Sequence, residues 1–195
     1  EFQKEAEDFL SKAFLIALLL IFLILVIQFN SLSQPLIIMS AVVISLVGVF
    51  IGLIIYAMPF GIIMTGIGII SLGGVVVNNN IVLIDYINVL RRRGISRREA
   101  LIRAGLRRFR PVTLTAITTI LGLIPLTFGF GFDIYSLSIA DSGESAEFWR
   151  SMGIAVIFGL AFATVLTLLI VPTIYSTLDD VANVIKMGKK KLFGK

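Results

Sequence analysis

The 195-residue sequence contains no cysteine and no histidine. Without cysteine there is no disulfide framework to read, and the redox compartment stays undetermined. Without either residue, a zinc, haem or iron–sulfur site loses its usual ligands, and Ser-His-Asp or Cys-His chemistry loses its base. No cofactor and no metal site are expected, and no nucleophile–base pair points to an enzyme. Charge is scarce as well: 15% of residues are charged, where a soluble domain carries about a quarter. A recognisable signal peptide is lacking, and the chain opens on Glu1 rather than Met. The expectation is that it begins partway through a longer protein.

What replaces charge is hydrocarbon. The chain is 57% hydrophobic with a mean hydropathy of +1.01, and its apolar residues fall in runs long enough to cross a bilayer. The fold class expected is an all-α membrane protein: five transmembrane helices plus a short amphipathic surface helix. Residues 1–12 form a polar juxtamembrane lead-in, 13–177 the transmembrane domain and 178–195 a basic tail. Spans are predicted at about 13–29, 36–56, 61–90, 111–130 and 151–175. Pro35 fits the first turn of the second span, and Pro172 is expected to kink or end the fifth.

Residues 91–110 carry nine arginines and one acid, Glu99. Ser96 followed by Glu99 resembles a capping box, and Ala100, Leu101, Ala104, Leu106 and Phe109 give an apolar side. That pattern predicts a surface helix at about 96–109. A nucleic-acid patch is not implied, because a position between two spans already accounts for the charge and the run has a single aromatic. The lysines at 186, 189, 190, 191 and 195 lie on the same side as the arginines if five spans alternate. Excess Lys/Arg marks the cytoplasm. The N-terminus and the acidic loop 131–150, with Asp133, Asp141, Glu144 and Glu147, then lie outside.

Inside the third span lie Asn78, Asn79, Asn80 and Asp85. Hydrocarbon offers no water to such groups, so they must face protein or a wet cavity. At 100° per residue the three amides fan over about 200° of helix surface. Gly74, Asn78 and Asp85 share one face, with Asp85 roughly 10 Å nearer the arginines. Two readings of the amides stand: interhelical glue, or part of a pathway. Asp85 is expected to pair with an arginine of the basic loop. Thr113, Thr115, Thr118 and Thr119 lie along the fourth span, where threonine commonly bonds its own helix. Arg108 and Arg110 read as positive-inside anchors or phospholipid contacts. Small residues suited to close helix approach are Gly48 and Gly52, Gly73 and Gly74, and the stripe Ala155, Gly159, Ala163.

Gly74–Tyr86, GVVVNNNIVLIDY, resembles the helix-10 segment of resistance–nodulation–division (RND) efflux permeases of the hydrophobe/amphiphile type. The resemblance continues through Arg108-Phe109-Arg110-Pro111 with Thr115 and through Gly122-Leu123-Ile124-Pro125-Leu126. It extends to Phe148-Trp149-Arg150-Ser151-Met152-Gly153 and to Val171-Pro172-Thr173-Ile174-Tyr175-Ser176. It implies transmembrane helices 8–12, the C-terminal half of a parallel-repeat membrane domain. It further implies a proton-driven antiporter of the bacterial inner membrane, a likeness to homotrimers, and partnership with a periplasmic adaptor and an outer-membrane channel. The missing N-terminal half would supply helix-4 acids. In the family Asn78 and Asn79 occupy relay positions, Thr115 matches a relay threonine and Arg108 a functional arginine. Where many drug exporters have lysine, this sequence has Asn78, as in a second pattern of Asn-Asn followed by a small residue; Asn80 departs from that small residue. An amide takes up no charge, so Asn78 and Asn79 would donate to the helix-4 carboxylates and help set their pKa. Asp85 is the remaining relay candidate. Metal, lipid and protein-export branches of the superfamily remain alternatives, although the five methionines form no metal ladder. A non-transporting membrane scaffold and a stand-alone channel are the readings from other classes.

Overall fold

A computed structural model describes residues 2–133, 138–141 and 143–193, with side chains described for 4–129 and 147–177. Its helices are α1 (Phe2–Phe29), α2 (Ser33–Ile55), α3 (Ile62–Arg92), α4 (Arg97–Phe128) and α5 (Gly143–Phe193). All five are long and apolar enough to cross a membrane. The five membrane-spanning helices expected are thus present. Residues 2–12 of the lead-in are the first part of α1, and α5 runs on past Pro172. The side chains of Asp133, Asp141, Glu144 and the lysines from 186 onward lie outside the described residues.

The amphipathic stretch 96–109 is helical, and it is continuous with the fourth span through Pro111. Ser96 caps α4 by accepting a hydrogen bond from the Glu99 amide at 3.4 Å. The Glu99 carboxylate reaches forward to Arg103, one turn on, rather than back to the cap. The connection after α4 adds an element the composition did not suggest. Strands β1 (Phe130–Asp133) and β2 (Ser138–Asp141) pair antiparallel, Phe130 opposite Asp141. Two four-residue strands carry too little alternation to be read from sequence.

Helix α5 is the hub. It packs against α2, α3 and α4, while α1 touches only α2 and α3 and buries one described side chain, Leu25. Small residues explain the closeness of α2 and α5. A Cβ added at Gly48 would stand 2.5 Å from Phe162 Cβ and 2.8 Å from the Phe158 carbonyl; at Gly52 it would stand 2.6 Å from Phe158. A side chain at Gly159 would run into Leu72 and Val49. Ala155 and Ala163, on the same stripe, are buried. Gly73 is buried 3.5 Å from a Val42 methyl, measured from an added Cβ, whereas Gly74 is exposed with nothing near it. The outer surface is hydrocarbon: Ile27 is 81% exposed and Ile54 77%, which suits lipid and not water.

Candidate functional site

Helix α3 turns one side to the bundle and leaves the other bare. Leu72, Val76, Leu83 and Ile87 are fully buried, and the three asparagines divide between the two sides. Asn80 is completely buried; its amide nitrogen donates to the Val76 carbonyl at 2.8 Å and its side-chain oxygen has no partner. Asn79 is buried and Asn78 is exposed. Ser71, Gly74, Asn78 and Asp85 are all exposed and fall on one face of the helix. The bare side of α3 is therefore its polar side, the reverse of what lipid would select.

Asp85 does not meet an arginine. It is exposed, and no ion pair to it is found among the described residues. The expected pairing fails because the arginine that reaches this level, Arg108, goes to the neighbouring residue. Its guanidinium lies 4.9 Å from the centroid of the Tyr86 ring, a cation–π contact. The Arg108 Nε is buried without a hydrogen-bond partner.

The threonines of α4 bond their own helix. Thr115 donates to the Val112 carbonyl at 2.9 Å, and Thr118 and Thr119 both donate to the Thr115 carbonyl, at 3.0 and 2.9 Å. Thr115 and Thr118 are nevertheless exposed. Each hydroxyl keeps an acceptor lone pair for a group approaching from outside the described residues.

A polar cluster that sequence reasoning missed lies at the arginine end of the bundle. Gln34 of α2 and Asn88 of α3 exchange two amide hydrogen bonds, Gln34 Nε2 to Asn88 Oδ1 at 3.2 Å and Asn88 Nδ2 to Gln34 Oε1 at 3.0 Å. The Tyr175 hydroxyl of α5 donates to the same Asn88 oxygen at 3.2 Å. Three helices are thereby pinned at one level. The signal was present but scattered: Gln34 reads as a turn residue, its partner Asn88 is 54 positions away, and Asn88 is 87 positions from Tyr175. Among the described residues no group of three or more acids is placed to hold a metal ion.

Known proteins resemble the chain over nearly its whole length. The model of the AcrB/AcrD/AcrF family matches residues 1–179. The swarming motility protein SwrC of Bacillus subtilis (strain 168) is 38% identical over 182 residues, covering 93% of this chain and 16% of that protein. The multidrug resistance protein MdtC of Erwinia tasmaniensis is 33% identical over 166 residues, 85% of this chain and 15% of that protein. Among solved structures, a heavy metal efflux pump superposes with a TM-score of 0.68 at 31% identity, covering 84% of this chain and 15% of the pump. The chain thus spans about a sixth of the length of the relatives it matches.

Proposed function

The chain belongs to the AcrB/AcrD/AcrF family, a family of multi-pass membrane transporters rather than enzymes, and on that premise we propose that it is helices 8–12 of a proton-driven exporter of the hydrophobe/amphiphile type. Its part in the proposed mechanism is the amide and hydroxyl side of an intramembrane proton relay, with Asn78, Asn79 and Thr115 as hydrogen-bonding groups. Arg108 is the neighbouring cation, and Asp85 is a candidate acid at the arginine end. The proton-carrying carboxylates come from the other half of the same gene product.

One observation carries this reading: α3 leaves Ser71, Gly74, Asn78 and Asp85 exposed while it buries Leu72, Leu83, Ile84, Ile87 and Leu90. Lipid cannot solvate an amide and a carboxylate, so protein or a wet cavity must cover this face. The exposed hydroxyls of Thr115 and Thr118 support a polar partner from the same quarter. The rest of the proposal follows the family: a homotrimer in the bacterial inner membrane, working with a periplasmic adaptor and an outer-membrane channel. The basic segments favour a periplasmic N-terminus and a cytoplasmic C-terminus. The proposed substrates are drugs, in line with the name of the multidrug resistance protein MdtC, and their amphiphilic character follows the resemblance.

The scaffold reading loses ground because the surfaces it would use are spent internally. Gly48 and Gly52 are closed by α2–α5 packing, and Gly159 by Leu72 of α3 and Val49 of α2. The test is reconstitution of the intact gene product in liposomes carrying a pH gradient. Substrate-dependent proton flux is the expected result; a scaffold carries none. The 195-residue chain alone is expected to be silent in the same liposomes, and flux from it would favour a channel.

A further inference from the structure

Between them, helices α4 and α5 leave an open cavity of about 750 Å³. Its lining is almost wholly apolar and includes Gly105, Phe109, Ile117, Leu168, Leu169 and Pro172. It lies on the opposite side of α4 from the polar face. Thr113 lines the cavity, and Thr115, two residues on, points about 200° away around the helix. A partner that covers Thr115 on that side does not by itself close this groove.

Two features identify what fills it. The first is length. Its α5 wall, from Ala161 to Pro172, is about 16 Å long, half of a hydrocarbon core of about 30 Å, while the α4 wall runs on past Phe109 to Leu101. The two-walled part of the groove is one leaflet deep. The second is charge. Where the groove meets the membrane surface, Arg107 and Arg110 are exposed, and neither has an ion-pair partner among the described residues. Arg103 is already paired with Glu99. Leu106 and Phe109, 75% and 57% exposed, line the groove at the same level, with Arg110 and then Arg107 flanking them around the helix, so that an apolar tail and an anionic head are offered neighbouring surfaces.

We propose that the α4–α5 groove is a binding site for an anionic phospholipid, one acyl chain lying in the groove and the phosphate held by Arg107 and Arg110. The site is separate from the polar face of α3 and does not depend on the relay. It gives the arginine-rich start of α4 a ligand in place of a purely topological role.

The test is photocrosslinking in the intact gene product, with p-benzoylphenylalanine at Ile117, in vesicles of equal phosphatidylglycerol and phosphatidylcholine. Phosphatidylglycerol adducts are expected to exceed phosphatidylcholine adducts by about fivefold or more, the preference that a single interfacial arginine supplies. Arg107→Gln with Arg110→Gln should bring the ratio to about one. Gly105→Leu, whose side chain enters open space in the groove, should lower lipid adducts of both kinds. A ratio near one in the parent protein overturns the proposal, leaving ordinary bulk lipid. A phosphatidylglycerol preference that survives loss of both arginines overturns it too, as do adducts to peptides of the same gene product or of a second copy.

Discussion

At the scale of single residues, the polar groups of α3 divide by the direction they face, and their fates differ accordingly. Asn88 is satisfied within the chain, its oxygen accepting from Gln34 and Tyr175. Tyr175→Phe removes one of those bonds and should cost about 0.6–1.7 kcal/mol, the range for interhelical hydrogen bonds in membranes. Asn88→Leu should cost more, because it strands both partners. Thermal unfolding of the detergent-solubilised protein measures both, and equal melting temperatures for the two variants would contradict the shared role of the Asn88 oxygen. Among the described residues Asn78 has no such partner to lose. The fan of three asparagines was legible from the 100° step alone, and the exposure of Asn78 against the burial of Asn80 follows it. The pairing of Asp85 was not legible. Whether Arg108 lies on the acid or on the ring beside it depends on how α3 and α4 are rotated against each other, which no local pattern encodes.

At the scale of elements, close packing and chain reversal set the sensitive positions. The approach of α2 to α5 rests on missing side chains, so Gly48→Ala should destabilise by about 1–3 kcal/mol. Gly122→Ala, with open space around the added methyl, should be neutral or better. The comparison is made in one melting series. The two helix ends at 57 and 94 make a second pair. Met58 N–H bonds the Leu53 carbonyl and Ala57 N–H the Ile54 carbonyl, and the same pattern recurs at Ile95–Leu90 and Gly94–Arg91. This closure needs a left-handed residue; Gly94 (φ 82°) supplies it freely, whereas Ala57 (φ 49°) is held there with a Cβ. Ala57→Gly should therefore stabilise by about 0.5–1 kcal/mol and Gly94→Ala should do the opposite. The spans, the cap at Ser96 and the glycine stripe could all be read from spacing. The hub position of α5 could not, because a periodic apolar helix looks the same at the centre of a bundle and at its rim. The β-hairpin after α4 was too short to leave a period.

At the scale of the whole molecule, the chain presents two unlike outer surfaces. One is apolar and suits lipid, as on α1 and the α4–α5 groove. The other is the polar face of α3, joined by the exposed threonines of α4, and it is incomplete. In the proposed function the amides stand at relay positions but carry no titratable group, so the charge that moves past them is carried by carboxylates and not by Asn78 or Asn79. The measurement that tests this most directly is the pH profile of transport by the intact gene product in proteoliposomes, parent against Asn78→Ala. An amide that donates to a carboxylate favours its charged form. Losing it should move the acidic limb of the profile to higher pH and lower the transport rate. Unchanged transport with an unchanged profile would contradict the account.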